Sequence, residues 1–412
     1  MTSDPGKFMV VHNNKQQNYP RVILSKGREV SIQRYHPWIF SGAVQSISEH
    51  LTGGEIVEVF TSQGNYLGTG HFEDSSLAVK IFSFECKEIN TSFWKQKIES
   101  AFNLRKAIGL AENADTNAYR LAFTEGDGLP GLIIDMYENI AVFQAQTQGM
   151  FNARKEISEA LISVYNGKLQ AVYDKSSESF FEPFENYELQ SRFLHGQAET
   201  PKQITEHGNR FLVDFVKGQK TGFFLDQREN RALLGQYAQG RKVLNLFSYT
   251  GGFSVYALKA GANEVCSVDS AASAIELANQ NIKLNSFIEA KHHGIIADVK
   301  NYVQEMTGDF DMVILDPPAF AKHKASQHRA MQGYKFLNTS VLKKIKSGGI
   351  LFTFSCSQVV GTDLFESTVM ASAIEAGRNV RILHRLSQPP DHPVSIFHPE
   401  GAYLKGLVVY VE

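Results

Sequence analysis

Acidic side chains and a glycine-containing turn follow successive strands predicted in the C-terminal half of the chain. Residues 248–252 follow the strand KVLNLF, Asp269 ends EVCSVD, Asp298 follows a strand near 291–297, and Asp316 ends FDMVILD. In open α/β sheets, ligands bind at the carboxyl ends of the strands, and a carboxylate after the second strand can accept both ribose hydroxyls. The spacing therefore predicts a nucleoside site. The alternative is that Asp269 and Asp298 only cap the helices that follow them.

The glycine turn also bears on which nucleoside binds. Paired glycines between a strand and a helix let a ligand approach the backbone closely. The turn SYTGGF lacks the GxGxxG spacing of dinucleotide sites, and no following helix is obviously arranged for a pyrophosphate. The pattern favours S-adenosylmethionine over NAD, and an NAD-dependent oxidoreductase is the weakest alternative.

A cysteine ends a further strand at the same edge of the sheet. Cys356 follows GILFTFS and lies between Ser355 and Ser357, whose hydroxyls could hydrogen-bond to a thiolate. Since this strand and that of Asp316 end on the same side, a sulfur and a carboxyl group would share one cleft. The thiolate is the reactive form, so a lowered pKa would favour catalysis. The alternative is a buried strand-end thiol, because free cysteine is among the most buried residue types.

The elements that must position these groups form an α/β pattern from residue 210 onward. Repeated strand–helix units predict a parallel sheet covered on both faces. The tail segments RNVRILHRL and GAYLKGLVVYVE predict an antiparallel pair at the end of the chain.

The upstream half reads as two smaller units. Short strands with Gly-rich breaks over 21–90 predict a small β-barrel or sandwich, and residues 93–108 have the apolar spacing of a helix. A β-β-α-β-β pattern follows, and the polar stretch 195–208 predicts a linker. The predicted division is a flexible leader over 1–20, a β-barrel domain over 21–92, a central ββαββ domain over 93–200 and an α/β domain over 201–412.

Composition excludes several classes of protein. The chain has 412 residues, a net charge of −2 and three cysteines, Cys86, Cys266 and Cys356, without CxxC spacing. A disulfide framework and a cysteine-based zinc site are therefore not expected, and we predict no metal. Apolar runs are shorter than the roughly 20 residues that cross a bilayer, and the N-terminus does not resemble a secretory signal. We expect a cytoplasmic protein without a membrane partner.

Several motifs together resemble a known family. The runs NLFSYTGGFSVYALKAGANEVCSVD, DPPAFAK and FSCS are similar to the class I methyltransferase domain of the 23S ribosomal RNA cytosine-5 methyltransferases that carry an N-terminal PUA domain, the large-subunit methyltransferase I group. KGREVSIQRYHPWIFSGAV resembles the PUA opening of that group, EGDGLPGLIIDMY its central unit, and KTGFFLDQRENR the segment before its cofactor domain. The resemblance implies a Rossmann-like domain, an S-adenosyl-L-methionine cofactor and an RNA partner, 23S rRNA, and it allows a homodimer.

The resemblance also implies roles for individual residues. Cys356 falls at the position of the nucleophile, and Asp316 would lie between the cofactor and the target base. Asp269 would hold the ribose and Asp298 the adenine. The implied cofactor-binding residues are Phe224, Asp226, Arg228, Asn245, Phe247, Ser248, Tyr249, Gly251, Asp269, Asp298 and Asp316.

One position departs from related enzymes outside this group. Many RNA cytosine-5 methyltransferases carry a second cysteine after the DPP prolines, where this chain has Ala319. Product release would then use another group or water.

The implied chemistry explains the need for a thiol. Carbon 5 of cytosine is a poor nucleophile, and adding a thiolate to carbon 6 places electron density on carbon 5. Two alternatives stay open at this point. One is an N-methyltransferase acting on an exocyclic amine of RNA, which needs no cysteine. The other is a non-catalytic RNA-binding or assembly factor that keeps the fold.

Overall fold

The computed structural model describes residues 19–48, 50–179, 190–286, 291–321 and 323–412. Most of the predicted leader, residues 1–18, lies outside them. The N-terminal domain is a six-stranded sheet in the order β2-β6-β5-β4-β1-β3, around an apolar cluster that includes Val22, Val57 and Val79. Its elements are β1 Arg21–Leu24, α1 Val30–Gln33, β2 Trp38–Phe40, β3 Val44–Ile47, β4 Ile56–Phe60, β5 Tyr66–Phe72 and β6 Leu77–Ser83.

The central domain has three strands between its first helix, Thr91–Ala107, and the next helix, whereas the sequence predicts two. Its elements are α2 Thr91–Ala107, β7 Ala118–Phe123, β8 Leu132–Tyr137, β9 Ile140–Ala145, α3 Gln148–Asn152, α4 Arg154–Val164, β10 Ala171–Asp174 and β11 Arg192–Gly196. The missed break is the tight turn at Glu138 and Asn139, which joins β8 to β9 with Glu138 at a φ of 58°. Such a turn usually carries glycine. Because this turn has none, the sequence pattern does not predict the hairpin.

A hairpin replaces most of the predicted linker over 195–208. The strands β12 Lys202–Glu206 and β13 Asn209–Val213 pair antiparallel. Ile204 packs in a core shared with Tyr137 of the central domain. A polar stretch can form these strands because its buried carboxylate, Glu206, accepts two hydrogen bonds from the buried Arg231 at 2.8 and 2.7 Å. A paired charge can occupy a buried strand position that hydrophobic periodicity does not reveal.

The C-terminal domain confirms the predicted parallel sheet. Its strand order is β16-β15-β14-β17-β18-β20-β19, with β20 antiparallel to both neighbours. The elements are α5 Arg228–Ala238, β14 Lys242–Leu246, α6 Gly252–Lys259, β15 Glu264–Asp269, α7 Ala272–Leu284, β16 His292–Ile296, α8 Val299–Glu305, β17 Met312–Leu315, α9 Gln327–Lys344, β18 Gly349–Ser355, α10 Thr362–Ala376, β19 Val380–Ser387 and β20 Lys405–Val411.

Buried charges fasten the C-terminal tail to the central domain. Asp391 accepts a hydrogen bond from the Arg120 backbone N–H at 2.9 Å and forms an ion pair with Arg228 at 2.5 Å. The Asp391 carbonyl accepts from the Arg105 guanidinium at 2.7 Å. These contacts fix the tail segment between β19 and β20 against both domains. None of the described helices is long and apolar enough to cross a membrane.

Candidate active site

The turn after β14 adopts a conformation that few residues tolerate. Phe247, Tyr249 and Gly251 have φ values of 57°, 45° and 78°. At Gly251 a Cβ atom would lie 3.0 Å from the Cβ of Ala278 in α7, so glycine is required there on both grounds. The turn brings backbone groups to the carboxyl edge of the sheet.

Asp269 stabilises this turn from the neighbouring strand. Its carboxylate accepts from the Tyr249 backbone N–H at 2.9 Å and from the Ala271 backbone N–H at 3.0 Å. The side chain still borders the cavity described below. Each carboxylate oxygen retains acceptor capacity, so Asp269 is suited to hold a ribose.

Asp298 follows the helix-capping alternative. Its carboxylate accepts from the backbone N–H of Asn301 at 3.0 Å and caps α8. It is not among the residues that line the cavity. Its assignment to the adenine stays a prediction that rests on its place at a strand end.

One cavity of about 240 Å³ collects most of the predicted site residues. Phe224, Asp226, Phe247, Ser248, Tyr249, Asp269, Asp316 and Cys356 line it, together with Lys220, Gln227 and Leu404. The cavity combines the cofactor turn, three carboxyl groups and a thiol. The shared cleft predicted from the strand ends is present.

Three predicted cofactor residues lie beside the cavity rather than in it. The Asn245 amide donates to Ser254 Oγ at 2.9 Å inside the sheet–helix layer, and Gly251 shapes the turn. Arg228 is fully buried and directs its guanidinium to Asp391 and to the Ala118 carbonyl, toward the central domain. Arg228 lies two residues after Asp226 in the sequence, but its contacts connect the C-terminal domain to the central domain.

Two of the carboxyl groups in the cavity, those of Asp316 and Asp226, have pKa values shifted in opposite directions. Burial, and then the charge of Asp226, raise the pKa of Asp316 to about 7. Burial also raises the pKa of Asp226, but Lys220 and other polar neighbours outweigh it, so this pKa lies below its usual value. Tyr403 donates to Asp226 Oδ2 at 2.6 Å, and Gln227 donates to Asp316 Oδ2 at 2.9 Å. Pairs of acids whose pKa values are pushed apart are typical of acid–base catalysis.

Cys356 is half-buried at the end of β18. Its Sγ lies 4.0 Å from the carbonyl oxygen of Pro317. The expected hydroxyl contacts are absent from its described hydrogen bonds: Ser357 Oγ bonds instead to Tyr334 Oη at 3.1 Å, and Ser355 Oγ accepts from the Ser357 backbone N–H at 3.4 Å.

The Cys356 thiol has a raised pKa and is mostly protonated at neutral pH. Burial is the largest cause, and the nearby Asp316 adds to it, so that the pKa of Cys356 is about 11. A lowered pKa would have favoured catalysis, but the neighbouring hydroxyls do not supply it, and burial and the charge of Asp316 raise the pKa instead. Lys220 opposes the increase.

Sequence reasoning missed four residues that complete the site. They are Lys220, Gln227, Tyr403 and Lys405. The buried amine of Lys405 donates to the carbonyls of Ser357 and Val360 at 2.7 and 2.6 Å, which fixes the loop after the thiol. Gln227 and Lys220 lie in KTGFFLDQRENR, a motif of the family resemblance, and Tyr403 and Lys405 lie in GAYLKG, which the sequence pattern marked as part of a strand.

Comparisons with known proteins identify the family. A family model described as S-adenosylmethionine-dependent methyltransferase matches residues 185–409, and a PUA-like domain model matches residues 22–84. Ribosomal RNA large subunit methyltransferase I of Alteromonas mediterranea is 40% identical, over 95% of this chain and 98% of that protein. The enzyme of the same name from Erwinia tasmaniensis is also 40% identical, over 95% and 99%. The chain belongs to the ribosomal RNA large subunit methyltransferase I family.

Solved structures agree with this family fold. A putative SAM-dependent methyltransferase from Streptococcus mutans superposes with a TM-score of 0.80 at 24% identity, covering 95% of this chain and 99% of its own. A putative methyltransferase complexed with SAH gives a TM-score of 0.80 at 25% identity, with the same coverage. The Rossmann-like domain, the PUA-like domain and the S-adenosylmethionine cofactor predicted from the sequence are thereby confirmed.

The cavity has the polar groups that such a cofactor needs. Ser248 Oγ, Thr250 Oγ1 and Asp226 Oδ1 are buried without a hydrogen-bond partner in the described part of the chain. Buried polar atoms left unpaired are costly, so their presence around one cavity indicates a polar ligand. With Asp269 at the end of β15, they fit a nucleoside carrying an amino-acid-like tail.

Proposed function

We propose that this chain methylates carbon 5 of a cytosine in 23S rRNA, with Cys356 as the covalent nucleophile. The observation that carries the proposal is that Cys356 and Asp316 line the same cavity as the cofactor turn. The relatives named above are ribosomal RNA methyltransferases, which supports an RNA substrate. The PUA-like domain is the part expected to dock folded RNA through its shape and phosphates.

The chemistry is divided between the thiol and a protonated carboxyl group. Bound S-adenosylmethionine would supply an electrophilic methyl group; Ser248, Thr250 and Asp269 are the residues that would hold it. The Cys356 thiolate adds to carbon 6 while Asp316 donates its proton to N3 of the base. With a pKa of about 7, about half of Asp316 is protonated at neutral pH. Negative charge thus passes from sulfur to a carboxylate that Gln227 already hydrogen-bonds.

The second half-reaction needs a base to remove the proton from carbon 5. In this mechanism Asp226 takes that role, because its lowered pKa keeps the carboxylate ionised and able to accept a proton, and its Oδ1 has no partner among the described residues. Loss of the proton restores the double bond between carbons 5 and 6 and breaks the bond from carbon 6 to sulfur. Ala319 supplies no second thiol for this step.

The substitution Cys356→Ala tests the mechanism. The variant should lose 5-methylcytosine formation on 23S rRNA, measured by nucleoside mass spectrometry, and keep S-adenosylmethionine binding, measured by calorimetry. Cys86→Ala, which removes an exposed thiol distant in sequence from the cavity, is the matched control. Full turnover by Cys356→Ala, or an N-methylated product, would favour the N-methyltransferase. Absence of cofactor binding by the folded wild type would favour a non-catalytic factor.

Two further expectations accompany this function. An rRNA-modifying enzyme should reside in the cytoplasm, which fractionation of the cells would test. A homodimer also stays a prediction, which light scattering of the purified chain would test.

A further inference from the structure

Three potential metal ligands meet where the N-terminal domain contacts the C-terminal tail. His36 precedes β2, and His398 and Glu400 lie in the tail segment before β20. His36 Nε2 is 3.5 Å from Glu400 Oε1, and His398 Nε2 is 3.9 Å from Glu400 Oε2. One ligand atom from each residue lies within 4.8 Å of the other two. The residues are at opposite ends of the chain, so sequence spacing gives no sign of this cluster.

His398 is the anomalous member of the cluster. It is 2% exposed, and neither ring nitrogen has a hydrogen-bond partner in the described part of the chain. A buried polar group without a partner calls for an explanation such as an unseen ion or water.

We propose that His36, His398 and Glu400 bind one zinc ion that joins the N-terminal domain to the tail. Two imidazoles and one carboxylate form a ligand set typical of zinc, and water would take the fourth position. Tetrahedral zinc with ligands at about 2.0–2.1 Å places them about 3.3 Å apart. The present spacing of the ligand atoms, at most 4.8 Å, must contract on zinc binding through small movements of these side chains, of which Glu400 is half-exposed.

The consequence would be a fixed angle between RNA-docking and catalytic parts. The same tail carries Asp391, which is fastened to the central domain. A metal at His398 would add the N-terminal domain to that rigid unit. This proposal does not depend on the cytosine-5 mechanism.

A natural reporter lies beside the cluster. The Trp38 ring centroid is 4.4 Å from that of His398 and 6.0 Å from that of His36. The chain has two tryptophans, and the other, Trp94, stacks on His71 in a separate aromatic group. Zinc at His398 should therefore change the fluorescence of Trp38.

The test uses the full-length protein without an affinity tag, freed of metal by a chelator and then titrated with ZnCl₂. We expect one zinc per chain by calorimetry and a fluorescence change that saturates at the same ratio. His398→Gln and His36→Gln should each weaken binding at least tenfold. Trp38→Phe should abolish the fluorescence change and keep binding.

A matched control distinguishes this site from nonspecific zinc binding to surface histidines. His293 is half-exposed and lies 3.8 Å from Glu264, a histidine–carboxylate pair for which the described residues supply no third ligand. His293→Gln should bind zinc as the wild type does. Circular dichroism of each metal-free variant checks that it folds. No binding by the wild type, or equal binding by wild type, His36→Gln and His398→Gln, would overturn the proposal.

Discussion

The protonation state of Cys356 gives a quantitative prediction. With a pKa of about 11, about one Cys356 thiol in a thousand is ionised at pH 8, whereas an ordinary cysteine with a pKa near 8.5 is ionised to about a quarter. The more basic thiolate is about tenfold more nucleophilic. Alkylation of Cys356 should therefore be roughly 20-fold slower than that of a free thiol, and half-burial should slow it further.

The assay is a time course with iodoacetamide, followed by peptide mass spectrometry, in the Cys86→Ala background. The rate at Cys356 should rise about tenfold with each pH unit up to pH 10. Asp316→Asn removes a charge that raises the thiol pKa and should speed alkylation at pH 8 several-fold. Asp298→Asn, which alters a helix cap, is the control. A rate for Cys356 equal to that of glutathione, or one unchanged by Asp316→Asn, would refute the electrostatic argument.

Four further single substitutions, and one double variant, test the surroundings of the site. Lys405→Met leaves two loop carbonyls without a donor and should lower the free energy of unfolding by about 1–3 kcal/mol, measured by urea denaturation; unchanged stability would contradict the assigned role. Gln227→Leu removes a hydrogen bond that lowers the pKa of Asp316, so the pH at which kcat/KM declines on the alkaline side should move upward; a downward shift would argue against Asp316 as the proton donor. Arg228→Ala leaves the buried carboxylate of Asp391 without its ion-pair partner and should lower the free energy of unfolding by about 3–5 kcal/mol. In the Arg228→Ala/Asp391→Ala double variant, the loss should be smaller than the sum of the two single losses. Burial raises the pKa of Asp391, but neighbouring basic groups lower it well below its usual value, so its contribution is present at neutral pH and lost as pH falls below about 4; urea denaturation of Asp391→Asn should show less of this acid loss.

The sequence predicts the C-terminal sheet well because each parallel strand is an uninterrupted apolar run between helices. It fails where polar residues are buried or where a turn lacks glycine. Glu206 lies in a buried strand only because Arg231 pairs with it across the fold, and no local pattern announces that partner. The turn at Glu138 is missed for the complementary reason, since its positive φ occurs at a residue that rarely adopts one.

The candidate site divides in the same way. Asp269, Asp316 and Cys356 are predictable because the carboxyl ends of neighbouring strands meet at one edge. Gln227 lines the cavity and Tyr403 donates a hydrogen bond to Asp226, both from segments outside the strand–helix repeat, so their positions depend on how the domains pack. Proximity in sequence alone does not predict which residues line the cavity. Asp226 lines it, whereas Arg228, two residues later, points toward the central domain.

The charge pattern of the cavity explains how a strongly basic thiol can still serve as nucleophile. In the resting site the sulfur faces Asp316 and the ionised Asp226, both of which disfavour a thiolate. Binding of a cytosine changes this balance, because N3 can take the Asp316 proton in the same step that sulfur bonds to carbon 6. The negative charge then resides on a carboxylate with a hydrogen-bond donor, Gln227, already in place. The thiol proton leaves to water as the small thiolate fraction forms, so ionised sulfur is needed only in the step in which it bonds to carbon 6.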